Sequence, residues 1–395
     1  MMLTRRHFFL GSLALPAFAD KKPAAKKAAP PPPSLLLLAP DSLPAWILGA
    51  YGNQEILTPH LDMLAQTGTR FLNHSACAPE PGLGRATLLT GRTPMQLHDA
   101  ETPSSSESGL AQMLSGMGFT VHEAESAAAA QFLDAQTPAK PFFLHVRCPY
   151  LNPPYEGVAS KFHDQYSKTK FDTFSPDRTA SNAARNQALL ADPIGSLRKY
   201  AAAVSAFDDE VRVLLERLNA RGLVGNTLVV FTATCGNLAS HHGLWGAGSA
   251  SEPRNMFQEA VATPLIWSWL GRVGADITRP DQVSAYDFVP TLCDILQSNL
   301  PGANLCGRSY LALATGKRLP KKQPWRTMVF AADGSTAMAR VERYKVVERN
   351  PGAGELYDLV ADPGERQNQY DNGQFVSIRQ ELAGGLAAWK QRYSA

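Results

Sequence analysis

The sequence predicts an α/β fold: a mostly parallel mixed sheet sandwiched by helices, followed by a small C-terminal antiparallel α+β subdomain. Three observations predict it. Short apolar runs alternate with helical stretches from Leu35 to about Pro320. Those runs are apolar throughout rather than alternating, as strands covered on both faces require. After about Pro320 the texture changes to short strand-like runs and one closing helix. The elements follow in order. Leu35–Ala39 (LLLLA) is a buried strand stopped by Pro40. Thr58 caps a helix with Pro59 in its first turn, and Gly68 closes it. Arg85–Thr90 is a helix start after a Gly-rich turn. Ser106–Gly118 is helical, with Leu110, Met113 and Leu114 on one face. Phe119–His122 and Phe142–Val146 are strands. Tyr200–Arg221 is amphipathic, because Val204, Phe207, Val211, Leu214, Leu215 and Leu218 share a face. Thr227–Thr232 and Pro264–Trp269 are strands, and Tyr286–Leu296 is a helix. The C-terminal strands are Thr327–Ala331, Ala337–Val341, Tyr344–Glu348 and Leu356–Asp358, closed by a helix over Phe375–Tyr393.

The chain has 395 residues, 44% hydrophobic and 18% charged, with a net charge of +3. That length buries a large core, and the near-neutral balance argues against a nucleic-acid surface. No apolar run reaches the ~18–20 residues of a membrane span. Five cysteines allow at most two pairs. Thr4-Arg5-Arg6-His7-Phe8-Phe9-Leu10, a short apolar stretch and Ala17-Phe18-Ala19 form a twin-arginine-type export signal over 1–19. Export to the periplasm or beyond is therefore expected. Residues 20–34 (DKKPAAKKAAPPPPS) read as an extended Pro/Ala/Lys linker. The expected organisation is signal 1–19, linker 20–34, α/β domain 35–320 and subdomain 321–395.

Several ordered blocks resemble the sulfatase family of the alkaline-phosphatase superfamily. They are Leu35–Leu43 (LLLLAPDSL), Tyr51-Gly52-Asn53, Thr58–Ala65, Arg85–Arg92 (RATLLTGR), Gly222–Thr232, His242–Gly246 (HGLWG) and Glu355–Leu359 with Asp362-Pro363-Gly364-Glu365. The resemblance runs from about Leu35 to the C-terminus. It implies the fold above, with a site at the C-terminal ends of the strands. It also implies sulfate-ester hydrolysis by a formylglycine made from Cys or Ser in a C/S-x-P-x-R motif. A calcium ion held by oxygen ligands would polarise the nucleophile and sulfate, and Lys and His would assist.

The residues at those positions depart from the pattern. The motif reads Pro81-Gly82-Leu83-Gly84-Arg85, so Pro81 stands at the nucleophile position. Pro40 replaces the first carboxylate of the metal turn, leaving Asp41. Thr234 and Cys235 replace the ligands of the second turn, and Ala247 the Lys after His-Gly-x-Trp-Gly. The Gly-Lys-Trp-His segment is His122-Glu123-Ala124-Glu125, and Pro-His of the central strand is Pro149-Tyr150. Asp41, Arg85 and His242 remain. One carboxylate cannot supply the ~6–8 oxygens that Ca²⁺ prefers, so no cofactor is expected. The expected function is a sulfatase-like pseudoenzyme that binds a sulfated or other anionic ligand, or a protein partner, and no nucleic acid. The alternative is an active sulfate or phosphate ester hydrolase that uses Cys77 (Cys77-Ala78-Pro79) or a threonine as nucleophile.

Each residue also has a structural reading. Cys77 suits a small loop hydrophobe. Asp41 is a relic ligand or, in preference, a turn cap. Arg85 binds an anion at a helix N-terminus or pairs with a carboxylate. His241, His242, Cys235 and His122 match no zinc spacing. Cys235 reads as a buried thiol, Thr87 and Thr90 as structural, and Trp267 and Trp269 as packing.

Overall fold

The computed structural model describes residues 31–97, 109–174, 176–302, 304–319 and 323–394. The expected signal and most of the linker lie outside these residues, as does the start of the helix expected at Ser106. Residues from Pro32 on form one compact unit. Among the described residues no helix is long and apolar enough to cross a membrane.

Seven strands form the main sheet: β1 (Ser34–Leu38), β2 (Thr69–Ser75), β3 (Thr120–Glu125), β4 (Phe142–Arg147), β5 (Thr227–Thr232), β6 (Leu265–Ser268) and β7 (Ile277–Ser284), in the order β3-β4-β1-β5-β6-β2-β7. Only β6 runs against its neighbours. β1 lies inside the sheet between β4 and β5, with Leu35–Leu38 buried and alternating between two cores. Leu36 and Leu38 face the long helix Pro193–Ala220 through Tyr200, Val204 and Phe207. Leu35 and Leu37 face the helices Pro81–Thr90 and Phe288–Leu296 through Leu88, Leu89 and Val289. A run apolar on both sides is what such a position demands.

The second sheet is a meander of β8 (Val329–Asp333), β9 (Thr336–Arg340), β10 (Tyr344–Arg349) and β11 (Glu355–Asp358). The helix Val376–Tyr393 packs on it through Leu382, Leu386 and Trp389. Lys345 of β10 and Glu365 form a fully buried ion pair, and the lysine also donates to the Met256 carbonyl at 2.6 Å. Through the Met256 carbonyl and the Gln258 N–H, which donates to Glu365 at 2.6 Å, this pair anchors the small sheet to the segment that precedes β6.

Three boundaries differ from expectation. β1 begins at Ser34, whose hydroxyl accepts the Phe142 N–H. The long helix starts at Pro193 rather than Tyr200, capped by Asp192, which accepts the Gly195 N–H at 2.9 Å. The Gly-rich stretch before Arg85 is not a turn. Pro81-Gly82-Leu83-Gly84 is the first turn of the helix Pro81–Thr90, since proline at the first helical position lacks an N–H that would be orphaned anyway.

Candidate functional site

The ends of β1 and β5 are stitched together. Thr234 N–H donates to the Pro40 carbonyl at 3.1 Å, and Leu43 N–H to the Cys235 carbonyl at 3.0 Å. The Thr234 hydroxyl donates to Asp41 Oδ1 at 2.6 Å. The other Asp41 oxygen lies 3.5 Å from Arg85 Nη1. Asp41, Arg85 and Thr234 therefore meet. Asp41 is not the turn cap preferred above, because its oxygens face two side chains rather than turn N–H groups.

Gly84 explains how the helix reaches this point. A Cβ there would lie 2.1 Å from the Thr234 carbonyl oxygen. Only glycine lets the helix backbone come this close. Pro81 sits in the first turn, and its predecessor Glu80 supplies the N-cap. The Glu80 carboxylate accepts the Leu83 N–H at 2.7 Å. Glu80 thus places an acid at the positive end of the helix, where such charge is favoured. The pairing of an N-cap residue with a following proline was the sequence signal for it.

Cys235 is fully buried. Burial, then the negative charges of Asp41 and Glu80, push its thiol up to about 12. Cys77 does not join this group. It is fully buried in the core of the C-terminal subdomain, with its carbonyl accepting from Ala332 at 2.9 Å. Burial, and then Cys306 and Asp287, push its thiol well above the ordinary range. Thr90 donates to the Ala86 carbonyl at 2.7 Å, and the buried Thr87 hydroxyl has no partner among the described residues. Ala247 is buried. Trp267 packs edge-on against Tyr310 and Phe288, as expected of core, and Arg272 lies over the Trp269 ring.

His242 sits in a strained loop. Ala239, Ser240 and His242 all have positive φ, a region that non-glycine residues rarely enter. Asn237 braces the loop by accepting the N–H groups of Ala239 and Gly246. His242 stacks on Phe257 with centroids 3.6 Å apart, and His241 stacks on Trp46 at 4.8 Å. Between them lies Glu259, 3.3 Å from His241 Nδ1 and 3.7 Å from His242 Nε2. Burial pushes this carboxyl up, but the two histidines outweigh it and hold it below the usual range. Sequence reasoning missed Glu259, whose contact with the loop is purely tertiary.

The remaining zinc candidate, His122, stacks on Phe132 near the far edge of the sheet. Among the described residues no group of three or more His, Cys, Asp or Glu side chains is placed to hold a metal ion. The donor set also does not fit calcium. Asp41 is already shared between a hydroxyl and a guanidinium, and its neighbours are a proline, a threonine and a buried thiol. At the Tyr150 position, the hydroxyl is buried, and burial, then Cys148 and Glu210, push it up. Glu123, where the family motif has Lys, lies 3.0 Å from Arg147 and 3.2 Å from His145.

Comparison with known proteins agrees with this architecture. The sulfatase family profile matches residues 33–128 and 123–298, and the C-terminal profile of N-sulphoglucosamine sulphohydrolase matches 250–392. An ulvan-active sulfatase of Formosa agariphila is 23% identical, aligned over 85% of this chain and 76% of its own. Bovine arylsulfatase A is 26% identical over 70% and 67%. An N-acetylglucosamine-6-O-sulfatase of Bacteroides thetaiotaomicron is 25% identical, but the match spans only 36% of its length. Among solved structures, one in complex with its substrate D-glucosamine-2-N,6-O-disulfate superposes with a TM-score of 0.77 at 17% identity, covering 92% of this chain and 98% of the other. The phosphonate monoester hydrolase of Agrobacterium radiobacter gives 0.73 at 18% identity, covering 91% and 96%. With the two profiles running end to end over both sheets, the chain belongs to the sulfatase family of the alkaline-phosphatase superfamily.

Proposed function

We propose that this protein is a sulfatase-family pseudoenzyme: it keeps the scaffold but does not turn over sulfate esters. The observation that carries this reading is the use made of Asp41. Its two oxygens are engaged by Thr234 and Arg85, so the one remaining metal-turn carboxylate serves as a brace between β1, β5 and the helix. A calcium ion would need several more oxygens beside that carboxylate, and the neighbouring positions hold Pro40, Thr234 and Cys235. Pro81 offers no group to oxidise to an aldehyde. The carboxylate nearest the helix N-terminus belongs to Glu80, which repels a sulfate there.

Arg85 retains an outward share of charge, with its side chain 17% exposed. It supports weak binding of a sulfated or other anionic group, as does the substrate complex of the structural relative. The N-terminal signal pattern supports export. Use of Cys77 as an alternative nucleophile finds no support, since its thiol is enclosed and protonated.

The test is metal content together with turnover of p-nitrophenyl sulfate and p-nitrophenyl phosphate, measured on one purified sample. The expected result is neither stoichiometric calcium nor turnover above the uncatalysed rate. Stoichiometric metal with turnover overturns the proposal.

A further inference from the structure

The loop that follows the end of β5 is strained and held from outside. Ala239, Ser240 and His242 carry φ of 45°, 83° and 56°. Non-glycine residues keep such angles only where the surroundings impose them. One hold comes from the segment before the long helix. The His242 N–H donates to Asp177 at 2.6 Å, and Asp177 pairs with Arg366 of the subdomain.

The other hold depends on protons. Glu259 lies between two imidazoles, 3.3 Å from His241 Nδ1 and 3.7 Å from His242 Nε2. Neither nitrogen makes a hydrogen bond among the described residues. What draws the rings to the carboxylate is therefore charge, and charge needs the imidazoles protonated. Burial raises the Glu259 carboxyl, but the histidines outweigh it and hold it below the usual range. The stacking acts in the same direction. Phe257 lies 3.6 Å from His242 at an interplanar angle of 8°, and Trp46 lies 4.8 Å from His241 at 28°. An aromatic face attracts a cation more than a neutral ring. Each protonated imidazole thus meets an aromatic ring on its face and the carboxylate at its edge.

Behind Glu259, Lys345 is already matched by Glu365 in a buried pair, and Glu365 feels the negative charge of Glu259. With neutral imidazoles, two buried carboxylates share one lysine, and an unmatched buried carboxylate is costly. Imidazole is the side chain that changes charge between about pH 5 and 8. A cavity of about 380 Å³ lined by Trp46, Asn53 and Phe174 reaches His241, whose side chain is 19% exposed, and gives solvent a path to the ring.

We propose that His241, Glu259 and His242 form a pH-operated latch on the loop 237–246, closed while the imidazoles are charged and released when they are neutral. Above neutrality the rings leave Glu259, water reaches its carboxylate, and the loop relaxes its positive φ angles. Asp177 and Arg366 hold the other side of the loop and are not part of the switch. The inference does not depend on whether the Asp41 site is inert.

The test is amide hydrogen exchange read by mass spectrometry on the full-length protein at pH 6 and pH 8, with intrinsic rates corrected for pH. Peptides over 237–246 should lose about tenfold or more in protection at pH 8, the signature of local opening, while peptides over β1 keep theirs. Glu259→Gln removes the charge that holds both histidines and should leave the loop equally protected at the two pH values. The double variant His241→Gln with His242→Gln should do the same, and it replaces Glu259→Gln if that chain does not fold. Equal protection of the parent loop at pH 6 and pH 8 overturns the proposal. So does a pH difference that survives in Glu259→Gln or in the double histidine variant.

Discussion

Replacing Asp41 by alanine separates a brace from a vacant metal ligand by the sign of its effect on stability. A carboxylate kept for an ion is a burden to the empty protein, and its removal leaves stability unchanged or raises it. In this structure Asp41 accepts a 2.6 Å hydrogen bond from Thr234. A hydrogen bond to a charged acceptor contributes about 1.5–3 kcal/mol. Its contact with Arg85 is longer, 3.5 Å, between side chains 13% and 17% exposed. Partial solvent screening limits that pair to about 0–1 kcal/mol. Asp41→Ala should therefore destabilise by about 2–3 kcal/mol. Asp41→Asn keeps an oxygen for Thr234 and should cost roughly 1 kcal/mol. Urea unfolding followed by tryptophan fluorescence reads both values, with and without millimolar calcium. If Asp41→Ala is as stable as the parent, and calcium raises the parent midpoint, the brace argument is refuted.

Three further outcomes are expected. Gly84→Ala gains roughly 1 kcal/mol of helix propensity but drives a methyl against the Thr234 backbone, 2.1 Å away. It should destabilise by about 1–2 kcal/mol net, read as a lower urea midpoint. Gly384→Ala in the closing helix meets nothing and should raise it, so equal effects would contradict the packing described. Glu259 has its carboxyl held below the usual range by His241 and His242. Its contribution to stability is therefore present above the unfolded-state value near 4.3 and lost as pH falls through the lower folded-state value. Parent and Glu259→Gln midpoints, compared from pH 7 to pH 3, should converge toward acid, and a constant gap would refute the assignment. All five thiols are raised by burial first. At pH 8 the native protein should show no fast reaction with a disulfide reagent and five equivalents after denaturation, so a fast native thiol would reopen the nucleophile question.

The legible parts of the fold were those whose burial leaves a mark on composition. β1, β4 and β5 are covered on both faces and read as short apolar runs, broken only by the buried His145 in β4 before its terminal Arg147 and by the threonines that end β5. β2 and β7 escaped notice. β2 carries Arg70, Asn73 and His74, and β7 carries Pro280 and Asp281, which a central strand would not tolerate. β7 lies at the sheet edge, where proline costs no ladder bond. Its pairing with β2 slips between Phe71 and Asn73. The helix Ser126–Asp134 is largely alanine and leaves little apolar periodicity to read. At the site, the substitutions at 40, 81, 234 and 235 were visible by position. Their consequences were not, because Glu80 acts through a cap and Glu259 through a contact across the fold.

On the proposed reading, the way Asp41 is held accounts for how this scaffold loses metal chemistry without losing its sheet. A turn built to gather carboxylates around an ion is self-repelling once the ion is gone. Here the second turn offers Thr234, whose hydroxyl donates to the surviving carboxylate, and whose N–H is taken by the Pro40 carbonyl. The ends of β1 and β5 are thereby joined by hydrogen bonds where an ion would have joined them. Pro40 and Thr234 belong to one change: restoring Asp at 234 alone would set a second acid against Asp41 and remove its donor. Thr234→Asp should consequently cost more than Thr234→Ala in the absence of metal, and calcium should not reverse the difference while Pro40 remains.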